Sequence, residues 1–199
     1  MSADFPSDAG ALDRMLGSGR SHAFWTDRPV ADDLLRKVYD LAVLGPTSTN
    51  CCPARFQFLR GAAKDRLIPF MWEGNVAKVQ GAPVTVLIAY DREFWRMLPE
   101  LFIHRPEVAE TYAKNEPHAD YTAFHNSTLQ VAYFIMAARA HGLDCGPMSG
   151  FHRDKLDAEF FPDGRYRTNV LVNLGYADHD KLFPRLPRPA FAEACQIIA

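Results

Sequence analysis

The chain has 199 residues, and 48% of them are hydrophobic, enough to bury one sizeable core. A formal net charge of -2 and a sequence pI of about 6.4 give no electrostatic case for nucleic acid or for an anionic membrane surface. No stretch approaches the roughly 20 apolar residues that span a bilayer. The opening residues, MSADFPSDAGALDR, carry early aspartates and no apolar run. They do not read as a secretory signal, so a cytoplasmic location is expected. Cys51, Cys52, Cys145 and Cys195 include no CxxC pair and no metal-ligand spacing. Reduced thiols are the expected state, because adjacent Cys51 and Cys52 could close only a strained vicinal disulfide. The seven histidines are scattered, with no HExxH or similar cluster, and no metal site is expected.

In chain order, Ala9 to Ser18 reads as a first helix with Leu12, Met15 and Leu16 on one face. A polar connection, Gly19-Arg20-Ser21-His22, follows. Pro29 to Asp33 opens a second helix with acidic residues near its positive end, and Leu34, Leu35, Val38, Leu41 and Ala42 form its apolar stripe. It stops at Gly45-Pro46. The polar loop Thr47-Ser48-Thr49-Asn50 leads to a short strand at Arg55 to Arg60, then to helical stretches at Ala62 to Phe70 and Glu73 to Gln80. PVTVLIAY, residues 83 to 90, is the clearest strand; it is apolar on both faces and so central in a sheet. Residues 91 to 117 mix aromatics, arginine and proline with broken periodicity and read as an excursion away from the core. His118 to His141 is the longest helix; Val131 to Ala138 is apolar almost all round, which demands burial or a second subunit. Arg153 to Phe160 is a further helix, Thr168 to Leu174 a second strong strand, and the proline-bearing tail after Phe183 is extended. The sum is a single α+β domain, a mixed central sheet flanked by helices.

The chain lacks the GxGxxG dinucleotide fingerprint, the GxxxxGK[ST] phosphate loop and the G-x-S-x-G nucleophile elbow. With no standard nucleophile in view, the reactivity is sought in a bound cofactor. Arg20 and Ser21 offer a guanidinium and a hydroxyl suited to a phosphate, and Arg185 and Arg188 lie in a tail where no helix needs them. Thr47, Ser48 and Asn50 suit sugar-alcohol hydroxyls or ring carbonyls. Taken singly each has an ordinary explanation: a solvated arginine, a turn cap, a soluble tail.

Their order resembles the nitroreductase-like flavoproteins. That family opens with R-S-x-x-x-F-T-D-x-P-V, and here the segment from Arg20 to Val30 reads RSHAFWTDRPV. It continues with P-S-S-x-N-x-Q-P-W-x-F, against PTSTNCCPARF from Pro46 to Phe56. An Asn ahead of an Ala-Pro is matched by Asn75 and Ala82-Pro83, and G-L-x-x-x-P-x-x-G-F by GLDCGPMSGF from Gly142 to Phe151. The resemblance runs through most of the chain, roughly residues 12 to 190. It implies an intertwined homodimer with FMN at the interface and NADH or NADPH as co-substrate.

The resemblance also implies site residues. Arg20, Ser21 and His22 belong to the FMN phosphate and ribityl segment, with Arg185 a second phosphate ligand and Arg188 its alternative. Ser48 and Asn50 would contact the flavin across the interface. Asn75 would face the pyrimidine edge, Lys78 would help bind the nicotinamide cofactor, and the backbone at Met148, Ser149 and Gly150 would lie near N5. Ala23, Cys52, Ala54 and Ser149 stand where the family carries a basic residue, Gln, Trp and an acidic residue. The RSHxxW, GPTSxN and GPMSGF segments resemble the branch that reduces malonic semialdehyde in pyrimidine breakdown. A small aldehyde acid needs a cation for its carboxylate, and Lys78, His104 and Arg105 are candidates, with Trp72, Phe102, Tyr112 and Phe124 as candidate pocket walls. Nitroaromatic or quinone reduction, and a flavin-binding protein of this fold that is not a reductase, are the alternatives.

Overall fold

The computed structural model describes residues 9–198. The first helix, α1 (Ala9–Leu12), does not run regularly to Ser18. It widens into a π-type turn over Asp13–Gly17, closed by the Ser18 N–H donating to Asp13 O at 2.7 Å. α2 (Asp32–Ala42) starts on two aspartates and buries Leu35, Val38 and Ala42, one face at helical spacing; Leu41, counted in that stripe, lies on its outer side. β1 (Ala54–Leu59) follows. The helix expected over Ala62 to Phe70 breaks in two: α3 (Gly61–Asp65) and a single 3₁₀ turn at Ile68–Phe70, which contains Pro69. Buried Lys64 of α3 donates its ammonium to Gln80 O at 2.9 Å and to Ala82 O. It thereby caps the negative end of α4 (Glu73–Gly81).

β2 (Val84–Asp91) is buried at every position. Beyond it, residues 91 to 117 fold into a 3₁₀ turn at Phe94–Met97, α5 (Leu98–Leu101) and α6 (Val108–Ala113). The segment is not detached from the protein's interior: Phe94, Leu98 and Tyr112 form a satellite cluster with Cys51, Tyr90, Ala119 and Ala123. Tyr112 is therefore a packing residue, T-shaped against Phe94 at 4.9 Å. The remaining elements are α7 (Glu116–Ala140), β3 (Asp144–Met148), α8 (Arg153–Phe160), β4 (Tyr166–Gly175) and the short α9 (Phe191–Ala194).

The four strands pair in the order β1-β2-β4-β3, all antiparallel. The expected mixed sheet is corrected to this extent: the parallel element is one bridge, Ser21 to Cys145, on the outer edge of β3. β3 escaped the sequence reading because Gly146-Pro147 does not resemble a strand, yet an edge position tolerates a proline. Gly146 is required there, since a Cβ would lie 2.4 Å from His22 O of the segment that docks beside it.

Pleating divides the core. Val84, Val86, Ile88, Val172 and Leu174 face α2 and α7, while Leu87, Ala89 and Leu171 face the side of α4 and α8. The apolar half of α7 is largely covered within the chain: Val131, Phe134, Ala137 and Ala138 are buried, and Tyr133 donates its hydroxyl to Pro46 O at 3.0 Å. The same buried stripe continues through polar residues. Asn126 Oδ1 accepts from the Ser48 N–H and Gln130 Oε1 from the Ala54 N–H, both at 2.8 Å, and Asn169 Nδ2 donates to Ser127 Oγ at 2.7 Å. Each satisfies a group that burial would otherwise penalise.

Candidate functional site

At the C-terminal end of α7, the turn after α1 meets the extended tail around a cavity of about 460 Å³. Arg20, Ser21, Arg185 and Arg188 line it, so four residues chosen from sequence converge. A fourth arginine, Arg139, joins them from the last turn of α7, and no acidic side chain is among the lining residues. The guanidinia are held by carbonyls. Arg20 Nη2 donates to Phe183 O at 2.6 Å, Arg185 Nη2 to Gly17 O and to Gly19 O at 3.2 Å, and Arg188 Nη1 to Leu186 O at 3.1 Å and Pro187 O at 3.0 Å. Carbonyls leave the charge unneutralised, so the cavity is suited to an anion with several oxygens.

Phe183 also lines the neighbouring groove, of about 480 Å³, together with Ala23, Phe24, Gly74, Ala77, Lys78 and Lys181. Lys78 Nζ donates to Asn75 Oδ1 at 3.0 Å, and Asn75 Nδ2 donates to Gly150 O at 3.0 Å. Trp72 N donates to the same carbonyl at 3.1 Å. Asn75, Lys78 and Gly150 thus form one chain of hydrogen bonds although β2 and α7 separate them in sequence. A Cβ on Gly150 would lie 2.5 Å from Asn75 Nδ2 and 2.9 Å from Trp72 Cε3, so only glycine leaves this cradle intact. Ser149 is exposed beside it, and Met148, at the end of β3, is partly buried against the core.

The other predicted residues sit elsewhere on the same chain. Ser48 is fixed by Asn126, and Asn50 Nδ2 donates to Leu101 O at 2.8 Å, close to where His104 and Arg105 follow in sequence. Arg105 is exposed and pairs with Glu107 at 3.2 Å. Phe124, half-exposed, packs on Tyr90 near Asn126. Asn126 and Arg139 lie roughly 20 Å apart along α7 at 1.5 Å per residue. One chain therefore does not bring Ser48, Asn50, His104, Arg105 and Phe124 to the arginine cavity.

His22 is also diverted. Its N–H donates to Cys145 O at 3.0 Å, and its buried imidazole places Nε2 3.3 Å from Asp144 Oδ1 and meets His179 edge-on at 5.1 Å. The ring turns to Asp144 and is absent from the lining of the arginine cavity. Burial pushes this imidazole below the usual histidine range; Asp144 opposes the shift, and His179, Arg139 and Arg20 reinforce it. Because the folded state holds His22 neutral, the unfolded chain binds the extra proton first. Stability is therefore full above about pH 6.5, the unfolded value, and falls as pH drops toward the lowered folded value. Melting temperature against pH should decline below about pH 6.5, and His22→Gln should flatten that limb. An unchanged slope in the variant would assign it to other groups.

Arg139 and Asp144 are what the sequence reading missed. Arg139 carried a signal, a lone cation in the last turn of an apolar helix, but that pattern usually only complements the helix dipole. Cys51 and Cys145 are buried, and burial pushes both thiols up to about 12, away from reactivity. No helix among the described residues is long and apolar enough to cross a membrane.

Comparison with known proteins gives the family and the fold. Residues 20–176 match the family described as "Nitroreductase family". A Polynucleobacter asymbioticus protein named as an NADH dehydrogenase/NAD(P)H nitroreductase is 49% identical over 189 residues, covering 94% of this chain and 96% of the relative. A similarly named Rhodopseudomonas palustris protein is 50% identical over 188 residues, covering 94% and 95%. Among solved structures, a Bacillus subtilis nitroreductase aligns with a TM-score of 0.83 at 16% identity, covering 95% of this chain and 99% of the other. A nitroreductase from Exiguobacterium sibiricum, solved in complex with FMN, aligns at 0.77 and 21%, covering 94% and 96%. The chain belongs to the nitroreductase family.

Proposed function

We propose that this chain is an FMN-dependent NAD(P)H oxidoreductase that works as a homodimer in the cytoplasm. The observation that carries the reading is the cavity ringed by Arg20, Arg139, Arg185 and Arg188, which meets the Lys78 groove at Phe183. The first suits the FMN phosphate, and the second suits the ring and a nicotinamide above it. Asn75, ordered by Lys78 and Gly150, would meet the pyrimidine edge, and Lys78 would help bind the nicotinamide cofactor. The backbone of Met148, Ser149 and Gly150 would border the ring, and the Gly150 cradle keeps that approach open. When bound, FMN supplies reversible hydride acceptance; the protein's part is to fix distance and orientation and to exclude competing reactions. Two substrates sharing one open face give ping-pong kinetics.

A second copy is part of the proposal. Ser48 and Phe124 sit near the middle of α7, roughly 20 Å along it from Arg139, and Asn50 and Arg105 lie beyond them by Leu101, a span that one molecule's flavin site does not bridge. Supplied by a second copy, they would complete it.

For the acceptor we propose a small aldehyde acid, malonic semialdehyde, reduced to 3-hydroxypropionate. The support is the RSHxxW, GPTSxN and GPMSGF likeness, with Lys78 in the groove and His104 and Arg105 exposed for the carboxylate. Quinone or nitroaromatic reduction is the second reading, the nitro acceptor favoured by the word nitroreductase in the relatives' names. The purified protein should be yellow, with a band near about 450 nm, and should oxidise NADH or NADPH once an acceptor is added. A chain that takes up no FMN on titration would overturn the flavin reading. Comparison of kcat/KM across an aldehyde acid, a quinone and a nitroaromatic decides the acceptor.

A further inference from the structure

The geometry points to Arg139 as a positioning residue for phosphate recognition, acting through the backbone of the Arg20-Ser21 segment. This inference rests on the reading that the arginine cavity takes the FMN phosphate.

Arg139 lines that cavity, but its nitrogens are occupied or sealed. Nη1 donates to Met15 O at 2.9 Å, Nη2 donates to Arg20 O at 2.8 Å, and Nε is buried without a partner. The guanidinium therefore spans two carbonyls that belong to different pieces of chain: the π-type turn after α1 and the strand-like segment bridged to β3. Arg185 does the same from the tail, through Gly17 O and Gly19 O. Carbonyls at Met15, Gly17, Gly19 and Arg20 all turn toward guanidinia.

The peptide group is planar and trans, so a carbonyl pulled one way sends the next N–H the other way. With Arg20 O fixed on Arg139, the Ser21 N–H points away from Arg139, and Ser21 itself lines the cavity. Arg139 thus sets the plane of the peptide that presents the Ser21 N–H and side chain. A planar fork can bridge two carbonyls at once; a lysine ammonium is a point donor on a flexible stem and does not impose the same plane. The buried, unpaired Nε is the cost of this placement, since an unmade hydrogen bond is unfavourable inside a protein. Within this cavity Arg139 differs from its neighbours: Arg20, Arg185 and Arg188 reach it from loop or tail positions, while Arg139 stands on the longest of the described helices.

The test is the affinity of flavin-depleted full-length protein for FMN and for riboflavin, which lacks the phosphate. Arg139→Lys and Arg139→Gln should each weaken FMN by about tenfold and leave riboflavin unchanged. In a double-mutant cycle, Ser21→Ala should cost less FMN affinity in the Arg139→Lys background than in the wild type, because both act through one peptide. Three results overturn the proposal: wild-type FMN affinity in Arg139→Lys, which makes charge alone sufficient; equal losses for FMN and riboflavin, which make the role structural; and strict additivity with Ser21→Ala. Arg139→Lys keeps the charge and most of the volume, so it decides the matter should Arg139→Gln fold poorly. Arg20→Ala serves as the control. If it leaves FMN affinity untouched, the placement of the phosphate in this cavity fails, whatever Arg139 does.

Discussion

Alanine at both Arg20 and Arg185 is expected to yield a colourless protein that binds FMN roughly 10²–10⁴-fold more weakly, at ~1.5–3 kcal/mol for each charged hydrogen bond lost. The two guanidinia come from opposite ends of the chain and are already held at the cavity by Phe183 O, Gly17 O and Gly19 O. Their ordering is therefore complete before a ligand arrives, which is what makes each effective. The same contacts tie the tail to the turn after α1, so the double variant also loosens the tail. Riboflavin separates the two consequences: its affinity should hold if the loss is of phosphate recognition. The contacts are exposed, and the melting temperature should move little. Wild-type FMN affinity in the double variant would remove the cavity from the flavin site.

The largest expected effect on stability lies at the far end of β2. Asp91 is fully buried, and its carboxylate accepts from Arg55 Nη2 and Arg165 Nη2 at 2.8 Å, from Arg165 Nε at 3.0 Å and from the Glu93 N–H at 2.9 Å. It joins β1, β2 and the turn before β4. Asp91→Ala leaves two arginines facing each other without their anion. Breaking a buried pair this way costs about 3–5 kcal/mol; we expect the lower end, because the two guanidinia are about a third exposed and stay partly hydrated. For a chain of this size that is a fall in melting temperature of roughly 6–12 °C. Adding Arg165→Met should recover part of it, since the stranded charge is the main penalty. A single-variant loss near zero would show that water takes over the role of Asp91.

The strands that organise the fold were readable because they are buried largely on both faces, so β2 and the middle of β4 appear as mainly apolar runs rich in β-branched residues. β3 was hidden because an edge strand can carry Gly146-Pro147, a pair that reads as a turn. Burial of Asn126, Ser127 and Gln130 was also hidden, since their partners at Ser48, Ala54 and Asn169 are set by tertiary approach. In the candidate site, Arg20, Ser21, Arg185 and Arg188 were legible as donors suited to a phosphate, singled out by the order of the motifs around them. His22 looked equivalent to them, but Asp144, distant in sequence, claims its ring. Arg139 was concealed by its helix: an arginine in a last turn has an ordinary use, and only the folded chain shows that its fork reaches Met15 and Arg20.

One helix holds Ser48 near its middle, through Asn126, and Arg20 at its end, through Arg139. In the proposed dimer these two attachments serve different flavins. Each chain then owns no whole site, only complementary halves of two. A chain damaged at Arg20 and a chain damaged at Ser48, joined in one dimer, would put both lesions in one site and leave the other intact. Two inactive parents would thus give a half-active hybrid, and α7 is the shared beam that makes the halves interchangeable.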